Sequence, residues 1–302
     1  MTDPVSIFDR RAVRRNRDRA ARSFGDHDFL MREVGERLAD RLLDVKRAFS
    51  AVLDLGCHDG TFARLIGDRG GIETLVQCDL SPAMAARTPG LVICGDEEAL
   101  PVRDDAFDLV VSNLSLHWVN DLPGALVQIN RALKPDGLFL AAMLGGETLK
   151  QLRRSLMDAE LEARGGVSPR VSPFADVRDL GGLLQRAGFA LPVVDSDTVT
   201  VTYENALRLM ADLRGMGEVN AVDARPRAFT GRSILYRAAQ IYQSRHADND
   251  GRIEATFQVL FLHGWVPHPD QQKALRPGSA QTRLATALGT EERPAGDKSA
   301  PQ

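Results

Sequence analysis

The chain has 302 residues, of which 43% are hydrophobic and 26% charged, and a net charge of -3. That length and apolar content suffice for one large domain or two small ones with a well-buried core. The near-neutral balance excludes a global basic field, so nucleic acid is not an expected partner. Cys57, Cys78 and Cys94 form no C-x-x-C pair and cannot all pair with one another, which argues against a disulfide framework or a zinc site. No stretch reaches the ~18 to 20 apolar residues that cross a bilayer, and the N-terminus has no apolar signal core. A cytoplasmic location is expected.

Residues 1–45 read as a helical arm. It carries Arg10, Arg11, Arg14, Arg15, Arg17, Arg19 and Arg22, a run that is ordinarily a solvated helix face and otherwise a surface for an acidic partner. From 51 to about 143 the chain alternates between strand and helix patterns, which is the signature of βαβ units. Strands are predicted at 51–55, 74–79, 91–95, 107–113 and 138–143. Thr61 to Gly67 starts a helix after a glycine-containing turn. Ser81-Pro82 opens the next, with serine at the cap and proline in the first turn. A third helix, 122–133, is ended by Lys134-Pro135-Asp136-Gly137. Helices are then predicted at 147–164 and 174–187, the second closed by Gly188, a residue that tolerates the left-handed cap. Residues 193–203 and 255–265 alternate as strands around helices at 206–213 and 233–245. The expected architecture is α/β, a mostly parallel sheet with an antiparallel edge and a helical insertion at about 204–250, inside a domain spanning 46–268. The remainder, 269–302, is rich in Pro, Gly, Ala and charge and is expected to lack regular structure.

The segment Val52-Leu53-Asp54-Leu55-Gly56-Cys57-His58-Asp59-Gly60 ends the first strand just before a helix. Glycine there lets the backbone turn sharply and approach a ligand. Asp79 ends the second strand about 20 residues on, where a carboxylate accepts both hydroxyls of a ribose. NAD is the competing nucleotide, but its pyrophosphate needs the G-x-G-x-x-G turn. Here His58 stands at the second glycine position. A cofactor without phosphates needs no such cradle, and S-adenosylmethionine (SAM) brings positive charge that suits Asp54.

These motifs, with Asp96-Glu97 after the third strand and Leu133-Lys134-Pro135-Asp136-Gly137 before the fifth, resemble the class I methyltransferases. The resemblance implies a Rossmann-like fold, SAM as cofactor, and a cofactor set of Asp54, Gly56, Cys57, Gly60, Asp79, Leu80, Asp96, Glu97 and Asn113. His58 departs from the glycine usual in that family. Further stretches, among them Ile7-Phe8-Asp9-Arg10, Asp108 to Pro123, Ser168 to Phe174 and Leu213 to Asn220, are similar to the respiratory complex I assembly factors that hydroxylate an arginine of a complex I subunit. This similarity implies a protein-arginine hydroxylase whose partner is a complex I subunit. Because it begins at Ile7, it also implies a bacterial relative with no transit peptide.

Hydroxylation needs an oxidant, for which iron in a two-His, one-carboxylate site is a known solution. His246-Ala247-Asp248 has part of that spacing but lies in a polar stretch and reads as a surface loop, so no metal ligands are assigned. His117, just past the fourth strand, is the first candidate base or substrate contact; the alternative is a buried His117-Trp118 pair that holds the loop. Glu218, in the Gly215-Met216-Gly217-Glu218-Val219-Asn220 loop, is a candidate partner for a guanidinium. That loop is a candidate lid or an ordinary turn. The Pro-Pro-aromatic signature of amino-methyltransferases does not follow Asn113. Two other readings remain: O-methyl transfer of the malonyl-acyl-carrier-protein type, and a non-catalytic SAM-binding assembly chaperone.

Overall fold

The computed structural model describes residues 6–67, 69–271, 279 and 282–291. Met1–Pro267 form one compact unit and His268–Gln302 another. In the second unit a five-residue helix, Leu284–Leu288, stands within the stretch expected to be irregular, most of which lies outside the described residues.

The arm folds as α1, Arg10–Ala20, capped by the Asp9 side chain, and α2, Phe29–Leu43. There follow β1 Ala51–Leu55, α3 Thr61–Ile66, β2 Thr74–Asp79, α4 Pro82–Ala85, β3 Leu91–Cys94, β4 Phe107–Asn113, α5 Leu122–Ala132 and β5 Leu133–Leu144. The Ser81 hydroxyl accepts the Met84 amide at the start of α4, with Pro82 at the first turn, so the predicted cap is the one used. The later elements are α6 Lys150–Arg164, α7 Val177–Arg186, β6 Ala190–Tyr203, α8 Ala206–Gly215, α9 Arg232–His246 and β7 Ile253–Trp265. Helices α6 and α7 start three residues later than the periodicity predicts. Residues 147–149 turn instead, the Thr148 hydroxyl bonding to the Gln258 carbonyl, and the Asp176 carboxylate caps α7.

Among the described residues seven strands form one sheet in the order β3-β2-β1-β4-β5-β7-β6. β1 to β5 are parallel, and β7 runs antiparallel to both β5 and β6. The antiparallel edge is therefore as expected, with α8 and α9 between its two strands. Alternate residues feed two cores: Val52, Leu109, Val111, Leu138 and Leu140 face α2, α6, α8 and α9, while Leu53, Leu55, Val110, Phe139 and Ala141 face α5 and α7. Each buried Leu or Val side chain contributes roughly 1.5–3 kcal/mol. Both faces being covered explains why β1, β4 and β5 read as continuous apolar runs. Strand order reverses between β1 and β4, which in open α/β sheets places the ligand crevice beyond their carboxyl ends.

Candidate functional site

The crevice is lined by acids. Asp54 is fully buried on β1, and both carboxylate oxygens lack a hydrogen-bond partner among the described residues. Burial, and then the charge of Asp79, push its carboxyl up to about 8. At the turn, Gly56 has φ +72 and a Cβ there would lie 2.1 Å from the Ser115 side chain. Glycine is thus required both by backbone conformation and by the close approach of Ser115. Gly60, φ +81, sits against Gln77 and Thr88, where a Cβ would have only 3.0 Å. Between them the Cys57 amide donates to the Cys78 carbonyl, and burial pushes the Cys57 thiol up.

His58 adopts φ +52, the left-handed region that glycine would hold without strain. Its ring is buried and stacks on Phe24 at 5.5 Å, and neither ring nitrogen has a partner among the described residues. Burial, followed by the charge of Arg17, lowers its pKa. The His58 amide donates to Asp79 Oδ2 (3.0 Å), and Asp79 Oδ1 accepts the Ser81 amide (2.7 Å).

The strongest departure from expectation concerns the arginine run. Arg14 and Arg15 are exposed, as a solvated face requires, but the Arg17 side chain is only 1% exposed. Its guanidinium donates to Asp79 Oδ2 at 3.2 Å, Glu97 Oε1 at 3.0 Å and Ser115 Oγ at 2.8 Å. Arg10 reaches Asp96 and the second oxygen of Glu97. Burial works to raise the Glu97 carboxyl, but the adjacent Arg17 and Arg10 charges outweigh it and hold it at about 2. The acidic surface that this run meets is the crevice of its own chain.

A cavity of about 440 Å³ has Trp118 and Glu218 in its lining. Leu149, Leu152, Phe174, Met210 and Phe257 make its walls apolar, and Arg170, Arg214, Arg225 and Glu218 bring charge to its lining. Glu218 Oε2 lies 3.0 Å from His117 Nε2, and the Trp118 indole N–H donates to both Glu218 oxygens at 3.2 and 3.0 Å. Burial would raise the Glu218 carboxyl, but His117 and Arg17 lower it further than that. The balance favours its ionised form.

The family described as Methyltransferase domain matches residues 53–141, the span that carries β1 to β5. The arginine-hydroxylase NDUFAF5, mitochondrial, of Danio rerio is 44% identical over 288 residues, covering 93% of this chain and 89% of that protein. The chain belongs to the arginine-hydroxylase NDUFAF5 family. It lies within the SAM-dependent methyltransferase superfamily, as does a malonyl-[acyl-carrier protein] O-methyltransferase of Methylovorus sp., 35% identical over 88% of this chain and 92% of that one. The YcgJ protein of Bacillus subtilis shares the fold at 15% identity, with a TM-score of 0.52 over 76% of this chain and 98% of that chain.

In this NDUFAF5-family chain the structure brings Asp54, Gly56, Cys57, Gly60, Asp79 and Glu97 to one crevice, with Asp96 at its rim. Leu80 packs instead against the small apolar cluster of Phe8, Val13, Trp118 and Val222. Asn113 donates to the Met31 carbonyl of α2 (2.8 Å), so its amide ties the arm to the sheet. His117 and Glu218, singled out separately, are hydrogen-bonded to each other. Of the H-x-D stretch expected as a surface loop, His246 instead ends α9, while Asp248 accepts the amides of Asp250 and Arg252 in an exposed turn. Sequence reasoning missed Arg10, Arg17 and Ser115 as members of the site. The arginine run was a signal for the first two; Ser115 had none.

Proposed function

We propose that the chain is a SAM-binding protein-arginine hydroxylase acting on a respiratory complex I subunit. The observation that carries the reading is the Glu218 carboxylate, hydrogen-bonded to His117 and Trp118 and lining a largely apolar cavity, in a chain of the NDUFAF5 family. A planar carboxylate matches a guanidinium fork, and an apolar surround strengthens that pairing.

The crevice residues fit the cofactor. Asp54 has two unsatisfied buried oxygens and a raised pKa, which a cationic neighbour would relieve. The acids Asp79 and Glu97 already hold a cationic guanidinium there. Asp79 would orient the ribose hydroxyls and Asp54 the amino group, while the glycine turn leaves room for both. When bound, SAM supplies a sulfonium with an electrophilic methyl group.

Toward the substrate, Glu218 would hold the target guanidinium, His117 would fix Glu218, and the leucine-lined wall would exclude water from the reacting carbon. Balanced, hydroxylation takes dioxygen, two electrons and two protons, and returns C–OH and one water. A cytoplasmic location accompanies this reading; among the described residues no helix is long and apolar enough to cross a membrane.

Methyl transfer to a carboxyl group is the second reading, favoured by Arg214 in the chamber lining, since a guanidinium suits a carboxylate; Arg170 and Arg225 are already paired with Glu160 and Asp9. The experiment is peptide mass analysis of the complex I subunit from cells with and without this gene. A gain of one oxygen on arginine supports the hydroxylase. A methyl-sized gain selects the transferase, and no difference leaves a non-catalytic SAM-binding assembly chaperone.

A further inference from the structure

The carboxylate that a ribose would need is already engaged. Asp79 has two oxygens: one accepts Ser81 N–H, and the other accepts both His58 N–H and the Arg17 guanidinium. Arg17 also bonds to Glu97 and Ser115, which puts a full positive charge in the middle of the crevice. A cationic cofactor placed beside it would meet like-charge repulsion and would find an Asp79 acceptor already used. Arg17 and a bound cofactor would therefore compete for the same carboxylate.

Arg17 is not free to leave alone, because α1 is stitched to the loop that carries Glu218. The Asp9 amide donates to the Ala221 carbonyl and the Asp223 amide to the Ile7 carbonyl, both at 2.8 Å, around the antiparallel bridge of Phe8 with Val222. Asn16 donates to the Val219 carbonyl (3.1 Å), and Arg225 pairs with Asp9 (2.8 Å). A side chain on Gly217 would come within 3.4 Å of the Arg17 Cα, so the loop backbone rests directly on this part of the helix. The Phe8 ring also meets the Trp118 ring edge-on at 5.3 Å, and Trp118 in turn bonds to Glu218. Arm and loop form one continuous hydrogen-bonded layer over both the crevice and the chamber.

We infer that Arg17 is an internal competitor of the cofactor, and that its displacement from Asp79 moves α1 together with the 216–225 loop, coupling cofactor binding to the Glu218 wall of the substrate chamber. The inference rests on the SAM reading. In the closed state Arg17 neutralises the crevice acids. In the open state the cofactor takes that part, and the chamber loosens along the edge the loop had sealed. Apparent cofactor affinity is the intrinsic affinity reduced by the fraction of molecules in the open state.

The test is calorimetric titration of SAM into the full chain and into Arg17→Ala and Asp79→Ala, with amide hydrogen exchange of the unmodified chain in the presence and absence of SAM. A competitor predicts that Arg17→Ala binds about tenfold tighter or more, that Asp79→Ala loses binding, and that SAM speeds exchange in residues 10–20 and 216–225 together. Weaker or unchanged binding by Arg17→Ala with binding still lost in Asp79→Ala overturns the competitor and leaves the cofactor reading intact. Failure of both the full chain and Arg17→Ala to bind overturns both. The exchange measurement needs no variant: slowed exchange in both segments on adding SAM would show closure over the cofactor and overturn the inference even if Arg17→Ala does not fold.

Discussion

His117 and Glu218 meet at 3.0 Å although 101 residues separate them in the chain, and the same carboxylate accepts the indole N–H of Trp118. A carboxylate anchored by two side chains is fixed in orientation before any substrate arrives, which is the requirement for holding a guanidinium in one pose. Glu218→Gln keeps the shape and removes the charge. Losing a charge-assisted contact of ~1.5–3 kcal/mol should lower modification of the target peptide by roughly tenfold to a hundredfold, read by mass spectrometry. Equal loss of SAM affinity would move Glu218 from the substrate side to the cofactor side.

Acid stability should depend on Glu97. Its folded pKa of about 2 lies below the ordinary value of 4.5, so the ionised carboxylate stabilises the fold above pH ~4.5. That contribution is lost as pH falls through the folded value. Urea unfolding of the unmodified chain should show a steep decline between pH ~4.5 and ~2. Glu97→Gln should be less stable at pH 7, leaving Arg17 and Arg10 short of a partner, and its profile should be flatter in that window.

Asp54 has the opposite sign. Its folded pKa of about 8 exceeds the ordinary 3.8, so protonation favours the folded chain. The associated stability is complete below pH ~3.8 and is lost progressively as pH rises to about 8. Asp54→Asn should therefore stabilise the cofactor-free chain at pH 8, measured as a raised Tm, while weakening SAM binding at the same pH. A Tm unchanged between pH 5 and pH 8 in the two proteins alike would contradict the burial argument.

Gly56→Ala tests the turn. A Cβ 2.1 Å from Ser115 at φ +72 combines overlap with backbone strain, which together cost roughly 2 kcal/mol or more. Chemical denaturation should show that loss, and SAM binding should fall with it because Ser115 and Glu97 are displaced together. Gly67→Ala makes a useful comparison, since its Cβ would meet nothing within 4 Å and only the positive φ is penalised.

Filling the chamber separates its role from that of the crevice. Met210 lines the cavity and is partly buried, and Met210→Trp would occupy part of the ~440 Å³. Target modification should drop at least tenfold while SAM affinity stays within about twofold, since a blocked pocket removes substrate contacts only. Unchanged modification would place the substrate elsewhere.

The sheet was legible because its signals are local. The apolar runs of 51–55 and 107–113, the Ser81-Pro82 helix start and Gly56 each state a backbone preference within a few residues, and β6 alternates as an edge strand should. The starts of α6 and α7 were misread because Thr148 and Asp176 divert the chain through bonds that periodicity does not encode. In the site, Asp79 and Glu97 were recognisable from their places at strand ends. Ser115 was invisible, being a hydroxyl whose value comes from what it meets in the fold: Gly56, Arg17 and Glu97.

By itself the sequence determined the strand and helix order, the glycine turn and the acids at the strand ends, because each follows from side-chain shape, φ preference or hydrophobic period over short spans. Only the tertiary structure decided what those charges face. Arg17 reaches acids 62 and 80 positions away, and His117 reaches Glu218 across 101. A buried ion has strong partner requirements but no sequence period, so its partner is settled only when the folded chain withdraws it from water.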